Sequence, residues 1–252
     1  MTAAVAIANL ILGIAYTGYG VLTALEMKRG WKTMGFSHFG AAWIFMAFTC
    51  GPHHLFHGIH AAIEGRSGGT LDLYAVVVGL PVGVTWLILR IEAMRGGRGD
   101  RFISGTPLWL AAMPTLAAVY LTTLIFFTTD VAGRPLSFSS MIPPNALLLV
   151  IYMTIGYFLL RTQLRNHSSL NGWSVSGLSL AAVFPTCAVM HTVFALYSAT
   201  GLYAWDVHGF TIDWLAVPAG LYFLWVVRAL YRDALRDWNR ESMEGAPVAV
   251  AS

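Results

Sequence analysis

The chain has 252 residues, 57% of them apolar and only 11% charged, with a formal net charge of +3. Soluble domains carry about a quarter charged residues, so the composition excludes an ordinary water-soluble domain and points to an all-α integral membrane protein. Two cysteines without a C-x-x-C pair exclude a disulfide framework.

A helix needs roughly 20 apolar residues to cross a bilayer, and seven stretches qualify. The first, residues 4–26, has no basic segment before it and reads as a retained helix, not a cleaved leader. Lys28, Arg29 and Lys32 follow it. The second, 37–62, contains the run Gly-Pro-His-His-Leu-Phe-His-Gly-Ile-His, in which Gly51 and Pro52 predict a kink. The third, 72–94, opens at Thr70-Leu71-Asp72 and is followed by a basic connection whose Arg98-Gly99-Asp100 reads as a turn. The fourth, 107–129, precedes Arg134, and the fifth covers 144–163 with Arg161 and Arg165 at its end. The sixth, 174–200, holds Pro185, Cys187 and His191; the seventh, 209–231, opens at Thr211-Ile212-Asp213.

Thirteen of the 15 basic residues fall on alternate connections. Basic loops stay cytoplasmic, which predicts an outer N-terminus, a cytoplasmic C-terminus and residence in a bacterial plasma (inner) membrane. The basic balance then reflects topology and contact with the lipid bilayer, with no nucleic acid partner; partner subunits or a homo-oligomer stay open.

The first three spans align with the last three. Thr70, Asp72, Ala75, Val76, Gly79 and Leu80 recur as Thr211, Asp213, Ala216, Val217, Gly220 and Leu221. Thr49-Cys50 with His54 recurs as Thr186-Cys187 with His191, a shared T-C-x-x-x-H, and the same offset pairs Ser37 with Ser174 and Gly40 with Gly177. Extended upstream without gaps, it pairs Ile14 with Ile151, Thr17 with Thr154 and Leu22 with Leu159. The expected organisation is a parallel 3+1+3 repeat: residues 1–95 the first three-helix repeat, 96–140 a linker with the fourth helix, 141–232 the second repeat and 233–252 a cytoplasmic polar tail.

In span count and repeat order this resembles the microbial rhodopsins and the SWEET sugar carriers. The only lysines are Lys28 and Lys32, so the retinal Schiff base of the rhodopsins is excluded.

Ionisable groups inside spans are costly and mark function. Cys50, His54 and His57 share one face of the second span by i, i+3/i+4 spacing, with His53 and His60 on an overlapping face; Cys187 and His191 repeat the i, i+4 pair. Each thiol lies about 13 residues into its span, roughly 20 Å deep, and each matched imidazole one turn further. Two thiols and two imidazoles can therefore face one another between the repeats. Thiolate with imidazole suits zinc or copper, giving Cys50, His53, His54, His57, His60, Cys187 and His191 as candidate metal ligands. Asp72 and Asp213 are candidate carboxylates orienting the histidines, or simply helix N-caps.

Three functions fit these residues. One is an outward-facing Cys/His site that binds copper or zinc for sensing, delivery or transport. A second is a b-type cytochrome, with haem held by His54 and His191 and Gly51, Gly58, Ala188 and Ala195 making room for the ring. A third is a metal-dependent enzyme acting on a hydrophobic substrate; whether the chain is an enzyme at all stays open, and no G-x-S-x-G, P-loop or dinucleotide fingerprint occurs. His38, His167 and His208 carry no assigned role.

Overall fold

The protein is seen in a computed structural model that describes residues 1–65, 70–105, 133–201, 207–235 and 237. Six helices lie within them: α1 Thr2–Met34, α2 His38–Glu64, α3 Thr70–Met94, α4 Ile142–Asn166, α5 Val175–Ala199 and α6 Val207–Tyr231. The expected fourth span, 107–129, lies outside the described residues. Among the described residues, four helices are long and apolar enough to cross a membrane: α1, α4, α5 and the Thr211–Tyr231 part of α6. Of these, α1, α4 and α6 turn large apolar side chains outward, among them Ile7, Ile14, Val150, Tyr157, Leu215 and Leu221, as helices facing lipid do. One non-helical feature was not expected. Strands β1 (Phe102–Ile103) and β2 (Trp173–Ser174) form a two-residue antiparallel ladder, tying the connection after α3 to the start of α5.

Packing follows one scheme twice. α1 lies along α2 and α3, α4 lies along α5 and α6, and the two groups meet where α3 touches α5 and α2 touches α6. Lipid offers no hydrophobic drive for helix association, so close backbone approach through small residues matters more. At Gly51 of α2 an added methyl would run into Thr17 of α1, and at Gly156 of α4 it would meet the Pro185 ring of α5 at 2.6 Å. Both glycines sit beside a proline, Pro52 in the same helix and Pro185 in the neighbouring one. Tyr19 stacks on Trp86 at 4.4 Å, and Trp43 stands edge-on to the same indole at 4.0 Å. The Trp86 indole N–H donates to the Ser176 carbonyl at 3.2 Å, joining α3 to α5.

The starts of α2 and α5 are capped alike. Ser37 Oγ accepts from the Gly40 N–H at 2.9 Å, and Ser174 Oγ accepts from the Gly177 N–H at 2.9 Å. Each start also receives an aspartate from far along the chain. Asp100, after α3, accepts from the Ser176 N–H at 2.9 Å and from the Ser174 hydroxyl at 2.6 Å. Asp237, after α6, accepts from the Phe39 N–H at 2.6 Å. Carboxylates there satisfy orphan amides and complement the positive end of the helix dipole. The stretch Arg98–Asp100 is therefore more than a turn. Asp237, in the expected polar tail, is 7% exposed.

Candidate functional site: a buried imidazole layer above a thiol layer

The opposite ends of α2 and α5 carry the chemistry. α2 buries His53, His54 and His57, and α5 buries Cys187 and His191. His54 and His191 are 1% and 2% exposed, which removes both from bulk water. Each imidazole is gripped by an asparagine from the helix alongside. His54 Nδ1 lies 2.8 Å from Asn9 Oδ1 on α1, and His191 Nδ1 lies 2.6 Å from Asn145 Oδ1 on α4.

The other hydrogen bonds of those asparagines decide where the protons sit. The Asn9 amide nitrogen donates to the Val5 carbonyl at 3.0 Å. The Asn145 amide nitrogen donates to the Met141 carbonyl and to Asp213 Oδ2, both at 2.8 Å. With each NH2 group spent elsewhere, each Oδ1 can only accept, so Nδ1 of both histidines is the protonated nitrogen. In the neutral ring this leaves Nε2 with a free lone pair, the form in which histidine ligates metals. His54 Nε2 is buried with no hydrogen-bond partner.

Asp213 extends the network. Its Oδ1 lies 3.2 Å from His53 Nδ1 and 3.9 Å from His191 Nδ1. The carboxylate is 1% exposed and thus joins α2, α4, α5 and α6 at one point. The sequence marked Asp213 as a candidate orienting carboxylate or a helix N-cap, and its side chain contacts His53, His191 and Asn145. The side chain of its counterpart Asp72 lies outside the described residues. Aromatic rings wall the imidazoles: Tyr16 on His54 at 5.6 Å, Tyr152 on His191 at 5.3 Å, and Phe194 stacked on His53 at 5.5 Å.

The thiols form a separate layer one helical turn away. Cys50 and Cys187 face each other within interaction reach and line one small cavity with Tyr16 and Tyr152. The Tyr152 hydroxyl lies 3.6 Å from Cys50 Sγ. The Tyr16 hydroxyl completes no hydrogen bond. Tyr152 of α4 thus reaches across to the thiol of α2, and Tyr16 of α1 shares the cavity with both thiols.

The expected ligands are consequently sorted. Cys50 and Cys187 share one cavity; His53 and His191 gather around Asn145 and Asp213, and His54 lies beside His53, ring centroids 6.3 Å apart, held by Asn9. His57 is buried against Phe194, its ring centroid 5.7 Å away. His60 is only partly buried and turns to Glu64, Nδ1 to Oε1 3.5 Å, away from the cluster. Among the described residues no three His, Cys, Asp or Glu side chains share a single sphere ready to hold a metal ion. Gly51 and Gly58, expected to make room for a porphyrin, face Thr17 and Ala6 of α1 instead. Asn9 and Asn145 were missed in the sequence, as were Tyr16 and Tyr152. They recur at an offset of 136 residues, whereas the ungapped alignment held 137, one place out along α1 and α4. The chain matches no protein-family model, no curated protein and no solved structure, and the chemistry of its own side chains is what defines the site.

Proposed function

We propose that this chain is a seven-span membrane protein built as two parallel three-helix repeats, with a transition-metal site for copper or zinc buried between them. His54 and His191 present Nε2, and Cys50 and Cys187 lie one turn deeper. The observation that carries the reading is the pair of asparagine-locked imidazoles: a histidine kept only for packing does not need its tautomer set, and a buried ring nitrogen without a partner has a cost. His53, Asp213 and Asn145 hold the ligand rings in place, and outer-shell contacts of this kind commonly tune metal affinity. The site lies at the expected outer half of the spans, which suits sensing, delivery or uptake from outside the cell. No second ligand set toward the cytoplasmic side was found in the sequence, so sensing or delivery is preferred to full transport.

Metal content and the visible spectrum of protein purified in mild detergent, without chelators or a polyhistidine tag, test this. About one copper or zinc per chain is expected at the imidazole layer, and that equivalent is lost in His54→Ala and His191→Ala. A haem spectrum that disappears in the same variants would assign those histidines to a porphyrin and displace the metal reading. Wild-type protein that neither retains nor takes up copper, zinc or haem would return the cluster to helix packing.

A further inference from the structure

We infer that the thiol layer is a site for monovalent copper, bound in two-coordinate fashion between Sγ of Cys50 and Sγ of Cys187. The inference rests on the metal reading above and names its cargo. The two cysteines come from separate helices, α2 and α5, and line one and the same cavity. The cavity they line holds about 10 Å³, close to the volume of one water-sized probe. Its other walls are Trp43, Met46, Ala47, Val183 and Phe184, with the two tyrosines. No imidazole and no carboxylate lines it. Zinc completes a tetrahedron of four nitrogen, sulfur or oxygen ligands, and this cavity supplies only the thiols as strong ligands. Soft thiolate and thioether groups select Cu(I), and Met46 adds a thioether to the same wall.

The two tyrosines supply the second, independent observation. Tyr16 is 3% exposed, lines the same cavity as both thiols, and its hydroxyl has no hydrogen-bond partner. A thiol is a weak acceptor, but a thiolate is a strong one. Binding Cu(I) forms two Cu–S bonds and releases both thiol protons, with no change of oxidation state, so the centre carries one negative charge. The Tyr16 hydroxyl can then donate to Cys187 and the Tyr152 hydroxyl to Cys50 as charge-assisted hydrogen bonds. These offset part of the cost of a charge in an apolar interior. An unpaired phenol in the resting protein is accounted for as a donor waiting for an anion.

The test is competitive titration of the detergent-solubilised full chain with Cu(I), kept monovalent by added reductant, against a chromogenic Cu(I) chelator. Parallel titrations use Zn(II). One Cu(I) per chain is expected at the thiols, retained in the His54→Ala/His191→Ala variant, abolished in Cys50→Ser and Cys187→Ser and weakened about tenfold in Tyr16→Phe, as for other outer-shell losses. X-ray absorption of the histidine variant should show sulfur as the only ligand type around copper. Alkylation of the wild-type protein keeps the test independent of variant folding: bound Cu(I) should protect both thiols from a maleimide, and Zn(II) should not. Cu(I) or Zn(II) binding that needs His54 and His191 but survives in both Cys→Ser variants would overturn the inference and leave the metal reading standing. Binding of neither metal by the wild type would overturn both.

Discussion

The two ends of the helix bundle treat buried polar groups in opposite ways. At the starts of α2 and α5 the serine hydroxyls and the incoming aspartates close a set of hydrogen bonds with the first helical amides. At the other end, His54 Nε2 and the Tyr16 hydroxyl are buried without hydrogen-bond partners. A satisfied network stabilises and fixes register, whereas an incomplete one costs free energy unless a ligand completes it. The first end holds the fold together, and the second is where the proposed metal would bind.

Substitutions at each end should separate these roles. The largest effect is expected for Asn145→Ala, which releases His191 and one oxygen of Asp213 together. Metal affinity should fall by about 10–100-fold, and stability by about 1–3 kcal/mol from the unpaired groups left behind; metal titration and unfolding in detergent measure the two. Asn9→Ala frees His54 alone and should move both quantities in the same direction but less far. At the capping end, Asp100→Ala and Asp237→Ala should each lower stability by about 1 kcal/mol while metal affinity stays at the wild-type value. A cap variant that lost metal would show that the two ends are coupled. The smallest effect belongs to His60→Ala. Its ring pairs with Glu64 outside the cluster, so stability should stay within about 0.5 kcal/mol and metal binding should not change.

How much of this could be read in the sequence varies with the length scale of the interaction. The helices were legible because apolar run length is a local property, and so were the serine caps, whose Ser-x-x-Gly pattern lies within four residues. The T-C-x-x-x-H motif was legible because Cys and His are rare in apolar helices. Asn9 and Asn145 were not, because the relevant register changes by one residue between α1 and α2, a shift that an ungapped comparison smooths over. The pairing of a tyrosine from one helix group with the cysteine of the other depends on tertiary packing alone. Asp100 and Asp237 had a signal that was overlooked. They are 137 residues apart, the same offset that relates Cys50 to Cys187 and Ser37 to Ser174.

Those two aspartates also bear on how the chain is assembled during synthesis. The first amides of α2 belong to the early part of the chain, yet the carboxylate that completes them is Asp237, near the end. The start of α5, in turn, is completed by Asp100, made before α5 exists. The second helix group therefore meets a waiting clasp as it emerges, while the first stays unclasped until the seventh expected span is in place. Each half is finished by the other, and a chain released before residue 237 would leave the ribosome with its oldest helix pair still open at one end.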